Sequence, residues 1–243
     1  MKAMIFAAGL GTRLKPLTDT MPKALVPVCG KPLIQHVTEK LADAGFSDLV
    51  VNVHHFADQL EFWCHAVQLQ TDAMTFTISD ERKELLETGG AIKHARELLS
   101  DTDRFLIHNV DILSNVDLQA FWKAGEEADA TLLVSKRDTQ RYLLFDDDMR
   151  LVGWTNIKTG EVRSPYPDLD AEKCQRLAFA GIHQMSTSLL PLMEAYPDKF
   201  SIIDFYLQQC DSHLFRGYIQ PDLKLMDVGK IDTLSQAEEF VNI

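Results

Sequence analysis

Long apolar stretches are missing: no run of about 18 such residues occurs, so no segment reads as a membrane-spanning helix. Cysteine is sparse. Cys29, Cys64, Cys174 and Cys210 are scattered without a CxxC pair, which argues against a cysteine zinc site and fits thiols in a reducing compartment. Basic charge is in deficit, with 24 Lys+Arg against 36 Asp+Glu and a formal net charge of -12. That balance argues against nonspecific nucleic-acid binding, which needs a basic surface. The opening MKAMIFAAGLGTR has neither the long apolar region nor the cleavage site of a secretory leader, so a first strand and a cytoplasmic location are expected. Repeats and low-complexity tracts are absent. So are the third glycine of a GxGxxG fingerprint, where Leu14 stands instead, and a GK[ST] phosphate loop.

What is present alternates strand and helix patterns. Lys2–Ala8 is short and apolar, and Pro32–Ala44 places Leu33, Val37 and Leu41 on one helical face. Strands are expected at Asp48–Val53, Met74–Ser79, Arg104–Asn109 and Ala130–Ser135. Helices are expected at Ala57–Leu69, at Thr88–Leu99 with Thr88 as N-cap, and at Asp117–Ala128. This order implies an α/β fold with a mostly parallel sheet flanked by helices, whose ligands bind beyond the carboxyl ends of the strands. After about residue 138 the texture changes to a hairpin (Tyr142–Phe145, Leu151–Trp154), a charged loop, a strand at Leu177–Gln184, helices at 187–195 and 201–210, and a strand at 214–219. A short strand, a turn and a helix close the chain.

The stretch IFAAGLGTRLKPLTDTMPKAL, residues 5–25, sets Gly9 and Gly11 beside Arg13, Lys15 and Lys23 in an otherwise acidic chain. Glycines let backbone N–H groups approach phosphate oxygens closely. Arg13 offers a planar fork and Lys23 a point charge, while Pro16 and Pro22 stiffen the loop. A tight turn carrying solvated cations is the simpler alternative. Asp111 and Asp227 each follow a short apolar strand, so both can project at the rim of the sheet. His54 and His55 lack a spaced third ligand and read as strand-end hydrogen-bonding groups. Met21, Met185 and Met226 read as packing residues. Arg141, beside the hairpin, reads as a surface residue, with a substrate anion as the other possibility.

GLGTRLKPLTDTMPKALVPVCGKPLI closely resembles GxGxRxxPLTxxxPKxLxPVxxKPxI, the signature of the sugar-1-phosphate nucleotidylyltransferases. LLETGGAI, the NVD at 109–111, FAGIHQM and LMDVG extend the likeness more thinly along the chain. The resemblance implies a GT-A-like fold over residues 1–243, with roughly 1–137 as a nucleotide-binding part and 138–243 as a sugar-binding lobe and closing segment. It implies Mg²⁺ held by Asp111 and Asp227, and transfer of a nucleotidyl group from a nucleoside triphosphate to a sugar 1-phosphate with release of pyrophosphate. Arg13, Lys23, Asp111 and Asp227 are then the expected catalytic residues, with Lys23 on the α-phosphate or sugar phosphate and Arg13 on the leaving pyrophosphate. Ala8, Gly9, Gly11, Thr12 and Asn109 join them in holding the nucleotide. Gly89 and Gly90 would admit the base closely, with Glu87 holding the loop in place, and Gly181 would lie beside the sugar. Such transfer needs no general base, which accounts for the lack of a Ser-His-Asp arrangement.

Departures fall on the sugar side. Gly153-Trp154-Thr155 stands where many relatives carry E-K-P, and Leu225-Met226 replaces the aromatic residue usual before the last aspartate. Shortness, LETGG and the missing E-K-P together resemble the branch that uridylylates N-acetylmuramate 1-phosphate, implying UTP and that sugar or another hexose or hexosamine phosphate. Mannose- or heptose-1-phosphate guanylyltransferases and choline-phosphate cytidylyltransferase-like enzymes are the enzymatic alternatives, and a noncatalytic nucleotide sensor the non-enzymatic one. A GT-A glycosyltransferase would use a DxD motif that Asn109-Val110-Asp111 matches only in part. No nucleic-acid or membrane partner is expected, and the chain is expected to be a monomer or small homo-oligomer.

Overall fold

The computed structural model describes residues 1–241, apart from the side chains of Ser235, Glu238, Glu239 and Val241. Strand Lys2–Phe6 lies in the middle of a mixed sheet, parallel to Asp48–Val53 on one side and to Arg104–Asn109 on the other. Thr75–Asp80 extends the parallel half. Successive side chains of a strand point to opposite faces, so Ala3 and Ile5 enter one core while Met4 enters the other. Helices Leu33–Asp43, Ala57–Gln68 and Leu118–Ala124 bury Val37, Leu60 and Phe121 in the first core. Helices Glu87–His94 and Ile202–Gln209 bury Ile92 and Phe205 in the second.

Strand Gln175–Ser186 joins the two halves of the sheet. It pairs antiparallel with Arg104–Asn109, Ala130–Ser135 and Arg141–Phe145, and the last continues into Leu151–Asn156 and Glu161–Arg163. Its register with Ala130–Ser135 shifts between Phe179 and His183, and Gly181 sits inside that irregularity at φ +75°. A left-handed residue is what such a bulge demands, and glycine adopts it without a Cβ penalty. The α/β sheet is thus mixed: parallel from Thr75–Asp80 to Arg104–Asn109 and again where Phe215–Tyr218 joins Ala130–Ser135, and antiparallel around Gln175–Ser186 and the hairpin.

Two local expectations are corrected. Thr88 does not cap a helix. Leu86 occupies that position without a side-chain cap, and the helix breaks at Ala95 into Glu87–His94 and Arg96–Leu99. The segment Thr187–Ala195 is a 3-10 helix containing Pro191, which has no N–H to donate to an α-helical ladder. A small ladder, Ile112–Ser114 against Leu225–Asp227, was not foreseen. No described helix is long and apolar enough to cross a membrane.

Candidate functional site

Beyond the end of Lys2–Phe6 the chain turns into the glycine loop. Asn52, on the neighbouring strand, fixes that turn: its Oδ1 accepts from the amides of Ala7 at 2.7 Å and Ala8 at 3.3 Å. The Asn52 amide in turn donates to Glu81 Oε1 at 2.8 Å, and the other Glu81 oxygen accepts from the Leu86 amide at 3.2 Å. Both side chains are buried, and burial pushes the Glu81 carboxyl above its ordinary value. Two loops at the rim are thus tied through one buried amide–carboxylate pair.

Gly11 has φ +62°, and an added Cβ would meet Thr18 at 2.8 Å and Lys23 at 3.0 Å. Its carbonyl accepts from Leu14 N and from Thr18 Oγ1, each at 2.8 Å, which closes the turn that leads to Lys23. Thr12 and Arg13 are exposed on that turn. Gly9 differs, because a Cβ there would meet nothing within 4 Å. No described neighbour requires glycine at that position. Its bare face opens on solvent beside a cavity lined by Ala8, Gly9, Lys23, Asn109, Asp111 and Glu87.

The charged centre of the site is compact. Lys23, buried, is ion-paired with Asp111. Val228 N donates to Asp111 O at 2.8 Å, and Asp227 stands opposite Ile112 in the small ladder, so the two aspartates meet at one rim. Burial, then the charge of Asp111, raise the Asp227 pKa against the opposing pull of Lys23, Arg13 and Arg137. Asp227 Oδ1 is buried without a hydrogen-bond partner. A Cβ on Gly229 would come within 2.7 Å of that oxygen and 2.9 Å of an Arg13 guanidinium nitrogen. The missing side chain lets carboxylate and guanidinium approach across it.

The oxygen donors fit a hard divalent cation, which takes carboxylate oxygens and leaves room for phosphate and water. An orphaned carboxylate oxygen facing a second carboxylate is the donor set such an ion satisfies. No group of three or more His, Cys, Asp or Glu poised for a metal occurs among the described residues, so an ion held by Asp111 and Asp227 would need further ligands from outside the chain.

Asn109 lines the same cavity, and Gly181 lies behind it: a Cβ there would meet Asn109 Nδ2 at 2.8 Å. Gly89 and Gly90 are not at the cavity. Their bare faces are filled by the Phe200 ring and the Asp198 carbonyl, which corrects the expectation that these glycines admit a base. What does line the cavity there is Glu87, held at φ +63°, and Thr88. Thr88 Oγ1 accepts from Ile202 N at 3.0 Å, tying the loop to the helix Ile202–Gln209. His54 bonds the Glu81 carbonyl at 2.6 Å, as a strand-end histidine should, and Met185 is wholly buried. Cys64 and Cys210 are buried, with thiols pushed up to about 12 and about 11 by desolvation.

A family model for nucleotidyl transferases matches residues 2–143. The chain belongs to that family. It is 38% identical over 188 residues to the N-acetylmuramate alpha-1-phosphate uridylyltransferase of Caulobacter vibrioides, covering 74% of this chain and 73% of that enzyme. It is 37% identical over 139 residues to the mannose-1-phosphate guanylyltransferase catalytic subunit beta of Danio rerio, covering 56% of this chain and 38% of that subunit. The fold matches HddC from Yersinia pseudotuberculosis complexed with GMP-PN at a TM-score of 0.76 and 24% identity, over 99% of both chains.

In this nucleotidyl transferase three site residues escaped the sequence reading. Asn52 and Glu81 form the buried clamp, and Gly229 separates Arg13 from Asp227. A polar residue inside the apolar run DLVVNV was the one available sign of the first.

Proposed function

We propose that this nucleotidyl transferase uses UTP and N-acetylmuramate 1-phosphate, or a related hexose or hexosamine 1-phosphate, in a Mg²⁺-dependent transfer that releases pyrophosphate. The observation that carries the reading is Asp227, desolvated and with an oxygen unpartnered, set beside the Lys23–Asp111 ion pair at the mouth of the glycine loop. The likeness to a uridylyltransferase over about three quarters of both chains favours UTP and the muramate sugar; the shorter likeness to a guanylyltransferase subunit supports GTP and mannose 1-phosphate as the second reading.

Asp111 and Asp227 would hold Mg²⁺, which supplies positive charge to the phosphate oxygens when bound. The chain's own groups do the rest. Beyond Ala8, whose amide is already engaged by Asn52, the amides of Gly9, Leu10 and Gly11 have no described partner in the chain and are left to donate to the triphosphate. Lys23 lies against the α-phosphate, where charge develops as the bond to pyrophosphate lengthens. Arg13, on the exposed turn, holds the leaving pyrophosphate with its fork. The attacking oxygen belongs to a phosphate already ionised at neutral pH, so alignment rather than proton removal is required of the protein.

Pyrophosphate release measured over a panel of four nucleoside triphosphates and several sugar 1-phosphates tests the reading. UTP with N-acetylmuramate 1-phosphate is expected to give the highest kcat/KM. Preference for GTP with mannose 1-phosphate would favour the second reading, and binding without turnover across the panel would favour a nucleotide sensor.

A further inference from the structure

The sugar side of this chain lacks the E-K-P element, and the structure shows what stands in its place. The register of the antiparallel strands puts Trp154 opposite both Leu143 and Arg163, and Arg141 lies two residues before Leu143. Residues two apart share a face, so Arg141, Leu143, Trp154 and Arg163 line one side of the sheet. They floor a cavity of about 340 Å³ whose walls include Arg137, Phe179 and Asp204. Three guanidinium groups therefore surround one hollow in a protein of net charge -12, and among the described residues Asp204 is the only carboxylate lining it.

The three arginines are not equivalent. Arg163 is pinned: its Nη2 donates to Asp204 at 2.7 Å and its guanidinium lies over the Trp154 ring, 5.6 Å from the centroid. Arg137 donates to the Phe179 carbonyl at 3.1 Å. The Arg141 side chain is exposed and has no hydrogen bond or ion pair among the described residues. Like charges are gathered here with one fork left over, beside aromatic rings that suit the apolar face of a sugar.

The hollow adjoins the reaction centre. Phe179 lines the hollow and opens the bulge that carries Gly181 against Asn109. A sugar whose phosphate faces Lys23 and Asp111 would therefore project its substituents towards the arginines. Resting on the reading of the chain as a sugar-phosphate nucleotidyl transferase, we propose that Arg141, supported by Arg137 and Arg163, binds a carboxylate borne by the sugar and so selects acidic sugars over plain hexosamines. A guanidinium fork matches the two oxygens of a carboxylate, and a hydrogen bond to a charged group resists replacement by water.

The test compares N-acetylmuramate 1-phosphate, which has the carboxylate, with N-acetylglucosamine 1-phosphate, which does not, using UTP and pyrophosphate readout. The wild-type protein is expected to prefer the acidic sugar. Arg141→Ala should raise KM for it about 10- to 100-fold while leaving kcat/KM for N-acetylglucosamine 1-phosphate within about threefold. Arg141→Glu should widen that split, and retained turnover of the neutral sugar shows that the variants are folded. Equal losses on both sugars would place the phosphate, not the carboxylate, at Arg141 and overturn the proposal, as would no loss on either or a wild-type preference for the neutral sugar. If the wild-type protein turned over no sugar phosphate at all, the functional reading would fall first and this proposal with it.

Discussion

The amide of Val228 donates to the carbonyl of Asp111 at 2.8 Å. That bond belongs to the short ladder in which Asp227 stands opposite Ile112, so two carboxylates far apart in sequence share one rim. Lys23 reaches the same place from the glycine loop and pairs with Asp111, whereas one oxygen of Asp227 has no partner. On the proposed reading, such an arrangement would serve cation and triphosphate binding at the expense of the empty fold.

Asp227→Asn should therefore stabilise the ligand-free protein. The change removes a partly desolvated charge that also faces Asp111. A higher ligand-free Tm is expected by calorimetry. The stabilisation that Mg²⁺ and UTP together give the wild-type protein should be lost in the variant. A lower ligand-free Tm would show that Asp227 is a favourable structural charge.

Asn52→Leu strips the Ala7 and Ala8 amides and the Glu81 carboxylate of a partner at once. Unsatisfied buried groups of this kind cost about 2–4 kcal/mol in total, measured by urea unfolding. KM for the triphosphate should also rise, because the glycine loop and the loop of residues 81–88 lose their common tether. A stable variant with unchanged KM would deny the clamp any role.

Two glycine substitutions should part company. Gly90→Ala drives a methyl group into the Asp198 carbonyl, a backbone atom that cannot swing aside, and should cost about 2–3 kcal/mol. Gly9→Ala meets nothing within 4 Å, so its Tm should match the wild type while its affinity for the triphosphate falls. Titration calorimetry beside thermal unfolding checks both, and full affinity in Gly9→Ala would remove that glycine from the site.

Acid should destabilise the fold through two buried histidines. Burial lowers His108 from 6.5 to about 4 and His183 from 6.5 to about 3. An unfolded histidine gains its proton near pH 6.5, but these do so only well below it. Their contribution is complete above pH 6.5 and declines as pH falls towards 4 and 3, by up to about 1.4 kcal/mol per pH unit for each histidine. His183→Gln should flatten the decline between pH 6 and 4 in urea titrations. An unchanged slope would mean that His183 does not supply it.

Much of the site was legible because its signature is contiguous: Gly9, Gly11, Arg13 and Lys23 lie within one stretch whose turns close locally. The meeting of Asp111 with Asp227 was less so, since it depends on a three-residue ladder too short to show periodicity. Gly89 and Gly90 misled because sequence does not show what stands opposite a glycine. Here that is Phe200 and Asp198, brought in from the second half of the chain. Thr88 has the residue type of an N-cap but serves the amide of Ile202 instead, and the helix begins from Glu87 at a left-handed φ. Strand Gln175–Ser186 was found, yet its part in joining two sheet halves is a tertiary fact.

The most direct test is the rate of pyrophosphate release by the wild-type protein, Lys23→Ala and Asp227→Asn, with UTP, N-acetylmuramate 1-phosphate and saturating Mg²⁺. Turnover by the wild type and a loss of at least about 100-fold in each folded variant are expected, the scale that follows when a charge aimed at the reacting phosphate is removed. Near-normal kcat in either variant would contradict it.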